Sequence, residues 1–198
     1  MKATKLNLVT LLLVILATNL SVAQDAKTTT NFNFSMNSKK KIIDNLTSSN
    51  GLTIFNDLLN AADFSSSLSS TKAFTVFAPC DDALNKIPVK NFADLMSLEN
   101  FDQLRNFVGG FIFKGKVSFS EISKNIKTGN GDYSMKTVSG NSVIFTIKDK
   151  HLVLTDSNGN VSNVLINDIN QSNGTIFIID KIIFPNTSSD MFKTIAKK

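Results

Sequence analysis

The chain has 198 residues, 21 basic and 16 acidic side chains, a formal charge of +5, one cysteine and one histidine. A lone cysteine excludes an internal disulfide framework and a cysteine-rich zinc site. The basic excess is almost all lysine, scattered along the chain with Arg105 as the sole arginine, which argues against a nucleic-acid reader, because such proteins favour the two-pronged geometry of arginine.

At the amino end, Lys2 and Lys5 precede an apolar run from Leu6 to Leu16 that is broken only by Asn7 and Thr10. No acidic residue comes before Asp25, and Ser21-Val22-Ala23 sets small residues where a signal peptidase cuts. This order of charge, apolar run and small residues predicts a signal peptide over residues 1–23 and a mature start at Gln24. The run is too short for a bilayer span, which needs about 20 apolar residues. No cysteine follows it to take a lipid, and no later segment is apolar enough to span. The expectation is a secreted chain, extracellular or periplasmic, with no membrane span after signal removal. Losing Lys2 and Lys5 lowers the net charge by two.

Residues 24–39 are polar, carry the run Thr28-Thr29-Thr30 and show no sustained period, so they read as a flexible lead-in. From Lys41 to about Phe113 the apolar period is helical. Leu52, Phe55, Leu58, Leu59 and Ala62 fall on one helical face, and Leu98, Phe101, Leu104 and Val108 on another. A short strand, Phe74 to Ala78, interrupts the helices and is closed by Pro79. After Val117 the character changes. Val143, Phe145 and Ile147 alternate with Ile144, Thr146 and Lys148, and further strands follow over His151–Thr155, Val161–Ile166 and Thr175–Phe184. Asn158-Gly159 and Asn173-Gly174 fit turns that need positive φ. Pro185 ends the last strand, and residues 187–198 form a polar tail. Helices first and an antiparallel sheet second make an α+β domain.

The chain offers few handles for chemistry. His151 sits in a strand without a partner motif, and catalytic or metal roles need positioned partners. Cys80 follows a strand and Pro79 and precedes Asp81-Asp82, which places it at a helix N-cap, where Ser or Thr would ordinarily serve. Asp156, Asn158 and Asn160 begin like a calcium loop, but Val161 and Asn167 stand where that loop needs Gly and Glu; a hairpin turn explains them better. Phosphate-loop, serine-hydrolase and zinc-protease motifs are missing. No cofactor or metal is expected. Asn45, Asn160, Asn170, Asn173 and Asn186 are glycosylation sequons, relevant only to a eukaryotic secretory pathway.

Two segments are similar to the conserved ends of a fasciclin-type (FAS1) domain. Phe74-Thr75-Val76-Phe77-Ala78-Pro79-Cys80-Asp81-Asp82-Ala83-Leu84 resembles the "TVFAPTDxAF" segment. Asn173-Gly174-Thr175-Ile176-Phe177-Ile178-Ile179-Asp180-Lys181-Ile182-Ile183-Phe184-Pro185 resembles "NGxIHxIDxVLxP". Three departures stand out. Cys80 replaces the usual Thr or Ser, Phe177 the usual His of the last strand, and Phe111 the His of the family's middle "YHVVPGK" stretch. If those histidines serve packing, Phe is a workable substitute.

The resemblance implies a wedge-shaped β-sandwich with several helices packed along one side, spanning residues 40–186. It also implies a non-enzymatic adhesion or matrix-interaction module whose partner is an extracellular or envelope protein or polysaccharide. The alternative is a carrier of a small apolar ligand in a cleft between helices and sheet. The oligomeric state stays open. In animal members an Asp-Ile pair shortly before the final "NG" is linked to partner binding, so the resemblance makes Asp168 and Ile169 the candidate partner-binding residues. The competing reading has Asp168 capping a turn and Ile169 facing the core.

Overall fold

The computed structural model describes residues 34–183. The expected signal peptide, most of the lead-in, Asn186 and the polar tail lie outside the described residues.

The described chain holds helices α1 (Ile42–Thr47), α2 (Thr53–Ala61), α3 (Ser65–Leu68), α4 (Asp81–Leu84), α5 (Val89–Leu95), α6 (Phe101–Gly109) and α7 (Phe119–Thr128). A 3-10 turn, Leu98–Asn100, precedes α6. The strands are β1 (Phe74–Pro79), β2 (Ile112–Lys114), β3 (Tyr133–Lys136), β4 (Ser142–Lys148), β5 (His151–Thr155), β6 (Val161–Gln171) and β7 (Gly174–Ile179). They form one sheet in the order β2-β1-β7-β6-β5-β4-β3. A bridge from Phe113 to Thr137 joins its two edges, so the sheet nearly closes into a barrel.

Strand β6 divides this sheet into two leaves. Its first residues pair with β5 and its later ones with β7, with register shifts between Val164, Ile166 and Ile169. Such bulges bend a strand and sharpen its twist, which gives the wedge. Phenylalanines fill the space between the leaves. Phe77 of β1 stacks on Phe177 of β7 with centroids 4.6 Å apart, and both Phe113 of β2 and Phe145 of β4 close on Phe77, at 5.4 and 5.3 Å. Offset and edge-on geometries of this kind add to what burial alone supplies. On the helical side, Phe111 meets Phe55 and Phe107 edge-on at 5.7 and 5.2 Å. Phe111 and Phe177, the two positions where the family usually has His, are therefore both wholly buried aromatic packing.

The architecture is the expected α+β one, with differences in detail. Helix α7 lies beyond Val117, inside the half that reads as strands. Its Ser118 Oγ accepts the Glu121 N–H, and Ile122 and Ile126 are buried one turn apart. The Ser-x-x-Glu start is therefore a legible helix signal. The sheet is not wholly antiparallel: β1 and β7 run parallel, Phe74 opposite Gly174 through Pro79 opposite Ile179. Adjacent hairpin strands must run antiparallel, but β1 and β7 are far apart in sequence and are free of that constraint. Strands β2 and β3 are too short to show a period. The last strand ends at Ile179, where the Asp180 carboxylate accepts the Asn163 N–H and the chain turns.

The second helical face is also different. Leu98 is 92% exposed and Phe101 37% exposed, while Leu104, Phe107 and Val108 are buried. The 3-10 turn interrupts the helix, with Asn100 Nδ2 donating to the Asp94 carbonyl at 2.7 Å. The helical period restarts at Phe101 and leaves Leu98 off the buried stripe.

Candidate interaction face

Several residues of the two recognisable segments hold helix starts that belong to other parts of the chain. Free N–H groups in the first turn of a helix need acceptors. Asp81 supplies them to α2, its carboxylate accepting Thr53 N–H at 3.2 Å and Ile54 N–H at 2.9 Å. Asn173 accepts Ile42 N–H of α1 at 2.9 Å and donates to the carbonyls of Leu68 and Ser70 at 2.7 and 3.0 Å. Gly174 is required beside it, since a Cβ there would lie 1.9 Å from the Phe74 carbonyl oxygen. Asn45 and Asn173 are both buried, which keeps those two sequons from solvent.

Asp168, outside the two segments, also holds a helix start. It sits at the bulge of β6 with φ of 53°, a left-handed conformation that Asp tolerates. Its Oδ1 accepts the N–H of Phe119, the first residue of α7, at 2.7 Å. Ile169 is half-buried and pairs with Ile176 of β7. The pair thus lies where α7 joins the sheet, with each side chain part exposed.

The other singled-out residues do not converge. His151 is exposed at the start of β5. Cys80 is the N-cap residue of α4 and buried, and burial pushes its thiol pKa up, so the thiol stays protonated at neutral pH. Asp156 closes the β5–β6 turn, its Oδ1 accepting Asn158 and Asn160 N–H at 2.8 and 2.9 Å, with Gly159 at φ 81°. Among the described residues, no three His, Cys, Asp or Glu side chains gather in a way that could hold a metal ion.

A small, partly open pocket between Gly110, Thr137, Val143 and Asp156 has a volume of about 10 Å³, room for a single water. Two wider concavities are open to solvent. Ser66, Ser67, Ser70 and Lys72 line one with Phe74, and Ser120, Ser123, Lys124 and Lys127 line the other with Phe119. Drug-sized ligand sites instead enclose most of the ligand's surface.

The outward face of β4–β5–β6 carries the apolar exposure. Residues opposite one another across strands share a face. Ile144 lies opposite Thr155, and Thr155 opposite Val161. Thr146 lies opposite Val153, and Val153 opposite Asn163. Leu165 follows on β6 at the register shift between Val164 and Ile166. Ile144, Val161 and Leu165 are 40, 39 and 43% exposed, although Val153 in the middle of this face is buried; on the other face Val143, Phe145 and Val164 are buried and Ile147 is 37% exposed. The alternation of β4 marks Ile144 as outward in sequence; Leu165 carries no comparable signal, because Val164, Leu165 and Ile166 are apolar in succession, and Val161 stands alone before Ser162 and Asn163.

The fasciclin domain family model matches residues 50–185. Protein sll1483 of Synechocystis sp. is 28% identical over 127 residues, which cover 64% of this chain and 63% of that protein. A FAS1 domain pair from the insect cell adhesion molecule Fasciclin I matches at a TM-score of 0.55 and 21% identity, over 73% of this chain and 49% of that one. The chain thus spans less than two thirds of the length of that relative and about half of that structure.

Proposed function

This chain belongs to the fasciclin domain family, and on that premise we propose that it is a secreted, non-enzymatic module for adhesion or envelope contact. Its partner is an extracellular or envelope protein or polysaccharide. The observation that carries this reading is the row of exposed apolar side chains, Ile144, Val161 and Leu165, on one sheet face. Grouped apolar exposure of this kind marks contact surfaces, while the concavities described are wide open to solvent or hold one water. The insect molecule whose fold it shares is described as a cell adhesion molecule, and the leader over residues 1–23 supplies the route out of the cytoplasm.

Asp168 and Ile169 enter as an accessory contact at the α7 junction. Their part-exposed side chains leave room for a partner even though Asp168 also anchors Phe119.

Binding of the full mature chain to surfaces coated with envelope or matrix fractions tests the function. Saturable retention is the expected result. Uptake of small apolar molecules without any retention would instead establish a carrier. For the accessory contact, Asp168→Ala with Ile169→Ala should lower the melting temperature modestly, through the lost acceptor for the Phe119 N–H, and weaken retention of the chain that is still folded; retention intact in the folded variant reduces the pair to scaffolding.

A further inference from the structure

Charge is unevenly spread over the domain. Residues 34–183 hold fifteen basic and fourteen acidic side chains, so the described chain is close to neutral. Four stretches of chain meet at the end of the sheet where β1 begins. The Ser172 N–H donates to the Lys40 carbonyl at 2.9 Å, and Asn173 bonds the start of α1 and the Leu68 and Ser70 carbonyls. The Phe74 N–H donates to the Asn173 carbonyl at 3.1 Å, and the Gly115 N–H to the Ala73 carbonyl at 2.8 Å. The stretches joined in this way, residues 39–46, 65–74, 112–118 and 166–176, carry Lys39, Lys40, Lys41, Lys72, Lys114 and Lys116 against Asp44 and Asp168. Both carboxylates are engaged, Asp44 by the Lys41 N–H at 3.3 Å and Asp168 by the Phe119 N–H at 2.7 Å. Just beyond, Asp63 comes with Arg105, which donates to its carbonyl, and Glu121 with Lys124 one turn along α7, so the excess is unchanged. Lys41 donates to the Ser69 carbonyl and is half-buried; the other five lysines are exposed.

The chemistry of this end is narrow. Beside Lys72, the open concavity is lined by the serines Ser66, Ser67 and Ser70 with Phe74. The exposed large apolar side chains of the described residues, Leu98, Phe101, Ile144, Ile147, Val161 and Leu165, all lie on other stretches. A surface that enters a bilayer needs apolar side chains to bury there, and the centre of a protein interface needs apolar or aromatic anchors. The four stretches expose neither. They hold no arginine, so the two-pronged grip on phosphate is missing as well. Ammonium and hydroxyl groups remain, and these suit a hydrated polymer that carries carboxylates among hydroxyls. We propose that the lysine end binds an acidic polysaccharide, whose carboxylates meet the exposed lysines and whose hydroxyls meet the serine-lined concavity. A local excess of one sign draws the opposite charge to a surface and speeds encounter. The inference rests on the envelope-contact reading and deepens it, naming the chemistry of the partner on a surface separate from the apolar face of β4–β6.

Binding of the full mature chain to polygalacturonate is the test, with neutral dextran and phosphatidylglycerol vesicles as comparisons. Two variants lose the same charge at different places. One carries Lys39→Gln, Lys40→Gln, Lys72→Gln and Lys114→Gln at the lysine end. The other carries Lys124→Gln, Lys127→Gln, Lys136→Gln and Lys148→Gln elsewhere. All eight positions are exposed, so both variants fold, and their melting curves check it. The native chain should bind polygalacturonate and not dextran, bind vesicles far more weakly, and lose affinity as salt screens the lysines. The lysine-end variant should lose about tenfold or more in affinity at low salt, and the other variant less than about threefold. No binding to polygalacturonate at low salt, an equal loss in the two variants, or vesicle binding as tight as polygalacturonate binding overturns the proposal. Retention on envelope fractions that survives the lysine-end substitutions also removes this inference, and it leaves the envelope-contact reading standing.

Discussion

Strands β1 and β7 and the outward face of β4–β6 belong to one sheet but spend their side chains differently. Every residue of β1 and β7 is buried. Phe77 and Phe177 face the space between the leaves, the alternate residues face the helices, and Asn173 and Asp81 at the strand ends fix the starts of α1 and α2. Strand β4, by contrast, buries Val143 and Phe145 and leaves Ile144 in solvent. Central strands covered on both faces carry stability; a half-covered strand can give up its outer side chains to contact at small cost. The two segments that make the family recognisable therefore encode the scaffold, and the face that can touch a partner lies between them in sequence.

The largest effect should come from the stacked pair. Phe177→Ala removes a wholly buried ring and should cost about 3–5 kcal/mol in a denaturant melt; a loss below about 1 kcal/mol would take β7 out of the core. Asn173→Ala should cost about 2–3 kcal/mol, because it leaves the Ile42 N–H and the Leu68 and Ser70 carbonyls without that partner. Asn173→Asp sharpens this test, since it keeps the acceptor for Ile42 but sets a buried carboxylate oxygen against the Leu68 and Ser70 carbonyls, and should cost at least as much as Asn173→Ala.

The smallest effect on the scaffold side should be Cys80→Ser, within about 1 kcal/mol, since Ser is the better N-cap and loses only modest apolar burial. The raised thiol pKa has a definite sign. Its contribution to stability is full below the pKa of the unfolded thiol, about 8.5, and is lost as pH rises through the higher folded value. Native-state alkylation of Cys80 should therefore be slow at neutral pH and match the unfolded chain only after denaturation; rapid labelling in the native state would contradict the burial.

Much of the scaffold is legible in sequence because buried strands and caps use few residue types. Phe74–Pro79, His151–Thr155 and the turn at Asn158-Gly159 can be read directly from apolar runs bounded by turn residues. What is not legible depends on partners distant in sequence. Asp81 reads as an acidic first-turn residue of the helix that follows Cys80, yet its carboxylate serves α2, a helix that precedes it. The parallel β1–β7 pairing has no local marker. Leu98 fits a helical stripe by spacing alone, and only the break at Ser97–Asn100 turns it outward. The contact face is the least legible of all, because an outward Ile or Leu in a strand looks the same in sequence as an inward one until register is known.

The division between scaffold and contact face is tested most directly by one variant, Ile144→Ser with Val161→Ser and Leu165→Ser, measured for denaturant stability and for retention on envelope-coated surfaces in the same preparation. Stability should fall by about 1 kcal/mol for each of the three half-buried strand positions, with the chain still folded, while retention falls at least tenfold. Retention that survives the triple substitution, or retention lost only together with several kcal/mol of stability, would contradict the division.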